Sequence, residues 1–396
     1  MEQELFRYNP WWESDFESID KLHRRNEIFK ILLPNINNKQ IVFLTGLRRV
    51  GKTSLLKLCI HHLIHQQHID PQKMLYVSMD DYLLTKKSIL EVVEEFRKIN
   101  KIQTKEKIYL FLDEITFVKD YEQQLKNLYD KGQVKIFASS SSASLLRNQK
   151  GMLTGRSVTF EILPLSFEEY LQFKQIVIKK ADQHLSENYF KEYLKTGGIP
   201  EYVLTGDDAY IRELMDNIIY KDIAALNGIR NIGQLKDYFL LLMERSGKTM
   251  SINKIAKVLG ISTETSKKYF DLFCETFIVY PVVRRGKLNE QLVSPKKIYS
   301  CDTGIRCYYT GERDWGALFE NYVYLRLKHL NLQYIYQNTI ELDFFTEKKW
   351  LIECKFHDES LSLKQQALFD SLKSAKKFVV RNEKDIEMIR ELHNSK

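Results

Sequence analysis

The chain has 396 residues, 44% of them hydrophobic and 28% charged, with only 7 prolines and 16 glycines. That length exceeds what one core usually serves, and the composition excludes a disordered chain, so two or three ordered domains are expected. The net charge of +8 suits a polyanionic partner and equally an ordinary lysine-rich surface, so charge alone leaves nucleic acid open.

The five cysteines (Cys59, Cys274, Cys301, Cys307, Cys354) form no CxxC pair, which argues against a disulfide framework or a structural zinc site and fits a reducing cytoplasm. The opening MEQELFRYNPWW has no apolar core like that of a signal peptide, and no run of 18 apolar residues occurs. The expectation is a soluble cytoplasmic protein with no membrane partner.

Ile41 to Thr45 (IVFLT) is an apolar run too short for a helix, followed by GLRRVGKT at 46 to 53 and the helical pattern SLLKLCIHHLI. In this strand, loop and helix, Gly46 and Gly51 let the backbone wrap phosphates, whose charge the loop amides and the helix N-terminus would bind. Lys52 is expected to reach the β and γ phosphates of ATP, and Thr53 to hold Mg2+. Arg48 and Arg49 add positive charge within the loop, and Ser54 directly follows it. Further along this helix, His61 and His65 stand one turn apart, a spacing that can bind metal. Nothing nearby in the sequence offers a third ligand, so they read as a solvated helix end.

Residues 74 to 81 (MLYVSMDD) give another buried strand, and Ser88 to Lys98 a helix with apolar 89, 92, 93 and 96. A further strand, Lys107 to Leu112, runs into Asp113 and Glu114, at the carboxyl end where parallel sheets bind ligands. Asp113 is assigned to the Mg2+ shell and Glu114 to polarising the attacking water. Val134 to Ala138 ends in the serine run 139 to 142, where Ser139 either senses the γ phosphate or belongs to a turn capping the helix SLLRN. Alternating strands and helices imply an α/β fold with a parallel, doubly wound sheet.

These segments resemble the AAA-family (P-loop) ATPases that carry a restriction-endonuclease-like C-terminal domain. The resemblance rests on NPWW (9 to 12), LTGLRRVGKTSLL (44 to 56), LFLDEI (110 to 115), ASSSSASLL (138 to 146), LTGR (153 to 156), LPLSFEEYL (163 to 171), GGIPEYV (197 to 203) and YKDI (220 to 223). It implies that Arg156 lies near a nucleotide, as an arginine finger reaching a neighbouring subunit of a homo-oligomer; the alternative is an exposed loop arginine. The family's usual Thr-Gly-Ser reads Ser139-Ser140-Ser141 here.

From Gln234, a helix, then SINKIAKVLG, a turn, TETSKKYFDLFCE and the strand-like FIVYPVVRR match a helix-turn-helix with a wing. Tyr269, Leu272 and Phe273 point to a core, leaving Thr263, Ser266, Lys267 and Lys268 to face DNA. Arg284, Arg285, Lys287, Lys296 and Lys297 gather on the wing side. A protein-packing lid is the other reading of the same pattern.

After Trp315 the elements run helix, three strands, helix, strand. Asp343 lies in one strand, and Glu353 and Lys355 share a face of the next by two-residue alternation. The order resembles the PD-(D/E)XK nucleases, which implies Asp343, Glu353 and the helix acid Glu320 as ligands of Mg2+ or Mn2+, and Lys355 as the group that steadies the attacking hydroxide. Surface salt bridges or an inactive nuclease fold are the plainer alternatives. The expected domains are an AAA-type ATPase at 1–175, a helical lid and winged-helix module at 176–285, and a nuclease-like domain at 286–396. Together they make an ATPase coupled to DNA binding and metal-dependent cleavage; the rival is a regulatory ATPase whose inactive C-terminal domain binds a protein partner or DNA.

Overall fold

Four buried runs and one half-buried edge run build the first sheet in the computed structural model, which describes residues 1–84, 86–143, 151–357 and 359–394. They are β1 (Ile41–Thr45), β2 (Met74–Ser78), β3 (Ile108–Asp113), β4 (Val134–Ser140) and β5 (Ser157–Glu161). All pair in parallel in the order β2-β3-β4-β1-β5, so the loops after β1, β3 and β4 leave from one end of neighbouring strands. This is the α/β, AAA-type sheet expected from the apolar runs, which alternate with amphipathic helices such as Ile89–Ile99, begun by a Ser88/Glu91 capping box. The helix expected at 144 to 148 lies outside the described residues.

The NPWW segment has a structural task on the edge strand. Asn9 accepts a hydrogen bond from the Tyr76 amide (2.6 Å) and donates to the Tyr76 carbonyl (2.9 Å), as a neighbouring strand would. Trp12 donates its indole N–H to the Met74 carbonyl at 2.8 Å and stacks on Phe96.

The chain forms two units, Met1–Leu163 and Pro164–Lys396. In the second, the helix Ile232–Glu244 leads to β6 (Lys248–Met250), the helices Ile252–Leu259 and Thr263–Glu275, β7 (Val279–Val282) and β8 (Lys296–Ser300). These strands form an antiparallel sheet in the order β6-β8-β7, so its central strand lies beyond residue 285. A last sheet, in the order β12-β11-β10-β9, comprises β9 (Gln333–Gln337), β10 (Ile340–Phe345), β11 (Trp350–Cys354) and β12 (Lys376–Val380). Its first three strands are antiparallel, and β12 joins β11 in parallel after the helix Leu363–Ser371. Leu342, Phe345 and Leu351 pack against Leu368 and Phe369 of that helix to form its core.

Candidate functional site

The loop from Gly46 to Gly51 connects β1 to the helix Lys52–His65. Gly46 has φ +143°, and a Cβ there would collide with the Ile162 carbonyl, so no other residue fits. Beneath the loop, the buried Arg25 donates to the carbonyls of Val50 (2.9 Å) and Leu163 (3.1 Å), a brace that its sequence context gave no sign of. Lys52 is buried, and its ammonium donates to the carbonyls of Gly46 (3.0 Å) and Leu47 (2.9 Å) and to Ser141 Oγ (3.1 Å).

Asp113, at the end of β3, is almost fully buried and satisfied on both oxygens. Oδ2 accepts from Thr53 Oγ1 (2.6 Å) and from the Tyr76 hydroxyl (2.9 Å), and Oδ1 accepts from the Ser139 hydroxyl. Burial and the adjacent Asp113 carboxylate hold the Tyr76 phenol well above its ordinary range, so it stays a donor. Glu114 sits in the left-handed region at φ 49°, which turns its side chain away from the strand line. Its amide donates to Ser139 Oγ (3.1 Å), while its carboxylate accepts from the amide (3.1 Å) and hydroxyl (2.5 Å) of Ser141. Ser141 thus meets both Lys52 and Glu114, while Ser139 is engaged by Asp113 and the Glu114 amide. Four consecutive serines offer no pattern that picks out Ser141 over Ser139, and Tyr76, within a buried apolar strand, carries no sequence sign of its bond to Asp113.

Thr53 and Asp113 place two oxygen donors side by side at the start of the loop's helix. Such a pair suits Mg2+, which binds through one or two protein oxygens and keeps the rest of its octahedron for water and phosphate. Arg48 is half-buried and Arg49 exposed within the loop, and Ser54 lies half-buried on the first helical turn. Arg156 is not brought to this site: its carbonyl accepts from the Ile41 amide (2.8 Å) at the start of β1, whereas the loop leaves from the other end, roughly 16 Å along the strand. Its guanidinium pairs with Asp130 at 3.2 Å.

The second candidate site lies within the second unit. The Asp343 amide donates to Glu353 Oε2 (3.1 Å), the Cys354 amide donates to Asp343 Oδ2 (2.8 Å), and Lys355 Nζ donates to Glu353 Oε1 (2.9 Å), so Asp343, Glu353 and Lys355 do come together. Glu320 reaches the same place from the helix Trp315–Leu327, but a lysine stands between the acids. Lys297 Nζ lies 2.6 Å from Glu320, 2.7 Å from Glu341 and 3.1 Å from Asp343, with its side chain 1% exposed. The sequence places Lys297 on the wing-side basic stripe; alternation along β8 instead puts it, with Tyr299, on the face that meets these carboxylates. The Tyr299 hydroxyl donates to Glu320.

One ammonium among so many acids keeps its charge: burial opposes it, but Glu320, Asp343 and Glu341 outweigh burial and raise Lys297 well above the usual lysine range. The excess negative charge favours the protonated forms of the buried carboxyls. Burial and the neighbouring Asp343 push Glu320 up to about 8, and the same two causes push Glu353 up to about 8 despite Lys355 beside it. The ligand oxygens of Glu320, Asp343 and Glu353 do not converge as a metal-binding trio. As arranged, these residues do not fit a divalent ion, because the ammonium holds the position between them.

The DNA-facing set is also altered. Ser266 is buried, bonded to the Tyr238 hydroxyl (3.1 Å) and the Ile252 carbonyl (3.0 Å), because its position on the helix Thr263–Glu275 faces the neighbouring helices. Thr263, Lys267, Lys268 and Lys287 are exposed and Lys296 is half-buried. Arg284 donates to the Tyr336 carbonyl (2.5 Å), and Arg285 lies over the Phe345 ring at 3.7 Å, so both are engaged by the last sheet. Among the described residues, no helix is long and apolar enough to cross a membrane.

A family model described as an AAA domain matches residues 38–171, and one described as a domain of unknown function (DUF8612) matches residues 187–315. The chain is 30% identical over 344 residues to the uncharacterized protein MJ1544 of Methanocaldococcus jannaschii, covering 81% of this chain and 75% of that one. It is 28% identical over 301 residues to an uncharacterized protein of Haemophilus influenzae, covering 72% and 74%. Among solved structures it is similar to the Thermotoga maritima RuvB Holliday junction branch migration motor, with TM-score 0.34 and 15% identity over 65% of this chain and 89% of that chain.

Proposed function

The chain belongs to the family of the Methanocaldococcus jannaschii protein MJ1544 and carries an AAA domain at residues 38–171, and on that premise we propose that it binds and hydrolyses ATP with Mg2+ and contacts DNA through its second unit. The observation that supports hydrolysis, beyond binding, is the placing of the Glu114 carboxylate and the Lys52 ammonium on the same Ser141 hydroxyl. The loop amides and Lys52 hold the β and γ phosphates, with Lys52 exchanging its present oxygen acceptors for phosphate oxygens. Thr53 and Asp113 would hold Mg2+, which would supply charge neutralisation at the phosphates. Glu114 accepts a hydrogen bond from the attacking water and orients it, and Ser141 keeps that carboxylate aimed at the γ position. Arg48 and Arg49 supply further positive charge from the loop. Arg156 acts only on the nucleotide of a second copy, since its own loop is at the other end of the strand.

The test is phosphate release by the purified protein. Lys52→Ala abolishes binding and turnover together, whereas Glu114→Gln keeps ATP binding and slows release by about 10²–10⁴-fold, the usual worth of a general base. Turnover by Glu114→Gln at the rate of the parent would remove the hydrolysis reading.

For the second unit, the lysine between Glu320 and Asp343 favours the reading in which the acidic cluster is internally neutralised and the domain binds without cutting. The joining of Asp343, Glu353 and Lys355 on adjacent strands supports the other reading, metal-dependent DNA cleavage. Incubation with linear, branched and single-stranded DNA and Mg2+ or Mn2+ separates them. We expect no cleavage by the parent; cleavage that Asp343→Ala removes, with ATP turnover spared, would establish the nuclease.

A further inference from the structure

The far end of the P-loop helix carries a cluster that neither the ATP site nor the acidic cluster uses. His61 and His65 lie one turn apart on the last turns of Lys52–His65, and the short helix Glu17–Asp20 brings Asp20 against them. Among the described residues, these three side chains are the set whose metal-capable atoms converge, all within 4.8 Å of one another. Asp20 comes from a segment some forty residues upstream, so the sequence around the histidines gives no sign of it.

The spacing is longer than a hydrogen bond and within ion-pair range. Asp20 Oδ1 lies 3.5 Å from His61 Nε2 and 3.4 Å from His65 Nε2. An N–H to O hydrogen bond closes at roughly 2.7–3.2 Å, so both separations are too long for one. A tetrahedral zinc ion with ligands about 2.0–2.1 Å away sets its ligands roughly 3.3–3.4 Å apart, close to both of these Asp–His separations. His65 Nε2 is buried and hydrogen-bonded to nothing, a state that a buried ring nitrogen seldom keeps. The Phe16 ring, edge-on to His65 at 5.3 Å, holds that imidazole in place.

We propose that Asp20, His61 and His65 bind a first-row divalent cation, Zn2+ by preference, with water in the fourth position. Two imidazoles and one carboxylate suit such an ion, whereas Mg2+ prefers an all-oxygen shell. The two histidines lie roughly 14–20 Å along the helix from Lys52, so the site is separate from the nucleotide's magnesium. The bound ion fastens the Glu17–Asp20 turn to the last turn of the P-loop helix.

The test is a Co2+ titration of the untagged, metal-stripped full chain in excess Mg2+, followed by visible absorption. The expected result is saturation at one Co2+ per chain, with an intense tetrahedral band that Zn2+ abolishes and further Mg2+ does not. Asp20→Ala and His65→Gln each weaken binding by at least about tenfold, the least that changes around a metal usually cost, while Mg·ATP binding stays as in the parent. No saturable band, or an unchanged curve in Asp20→Ala, overturns the proposal. Because Asp20 is largely exposed, its variant decides the matter even if His65→Gln fails to fold.

Discussion

Ser141 and Ser139 stand two positions apart and hold different carboxylates. Ser139 donates to Asp113 and accepts from the Glu114 amide, so its loss loosens the carboxylate proposed to hold magnesium. Ser141 is bonded to Glu114 and Lys52, so its loss frees the group proposed to orient water. Hydrogen bonds to charged groups contribute about 1.5–3 kcal/mol, which corresponds to roughly 10–100-fold. Ser141→Ala is therefore expected to lower kcat by that factor with KM for ATP nearly unchanged, and Ser139→Ala to raise KM. Steady-state phosphate release on both variants checks this, and the reverse pattern would exchange the two roles. At this scale the sequence is legible where a residue type has one outlet, as with a Lys after a glycine or paired acids at a strand end. It is illegible at Lys297, since a lysine in a basic stripe reads as surface until Glu320, Glu341 and Asp343 are seen to converge on it from two other elements.

Strands and helices follow closely from apolar runs and caps, and elements are where the sequence is most readable. The landmarks between them acquire their reasons only from tertiary contact. In GGIPEYV, a Cβ on Gly197 would collide with the Asp302 carboxylate, which accepts from the Gly198 amide (2.7 Å) and caps the helix Thr303–Thr310 through the Ile305 amide (3.0 Å). Burial pushes Asp302 up to about 6, from the ordinary aspartate value of 3.8, even though three backbone N–H groups oppose the change. A carboxyl raised in the folded state contributes stability that is fully present below its unfolded value and is lost as pH rises through the folded one. Denaturant unfolding of the second unit should therefore show a contribution on the order of 3 kcal/mol present below about pH 4 and gone above about pH 6. Asp302→Asn removes that slope; an unchanged slope would mean that another group carries it.

At the scale of the whole chain, its division rests on tertiary ties. The sequence suggests boundaries near 175 and 285; the chain forms two units divided after Leu163, and the segment past 285 is tied back by β8 and by the Arg285 amide bonded to the Tyr334 carbonyl at 2.7 Å. Such ties join residues far apart in sequence, which composition does not record. They also reduce the cations available to a polyanion. Of the seven basic groups expected to face DNA, Lys297 is buried and Arg284 and Arg285 are engaged, which leaves Lys267, Lys268, Lys287 and Lys296. Each phosphate neutralised on duplex DNA contributes about −0.9 to the slope of log K against log salt, so contacts by these four lysines give a slope of about −3 to −4. Binding assays across a range of salt concentrations measure this, and a slope near zero would dissociate the second unit from DNA.

The pairing of Asn9 and Trp12 with Tyr76 and Met74 has a practical result for anyone shortening the chain. A fragment beginning at residue 38, where the AAA match starts, would strip the rim of β2 and leave its amides and carbonyls open to any passing strand. Such a fragment should clump or pair with its own copies in solution, while a fragment that retains the first dozen residues keeps that rim closed.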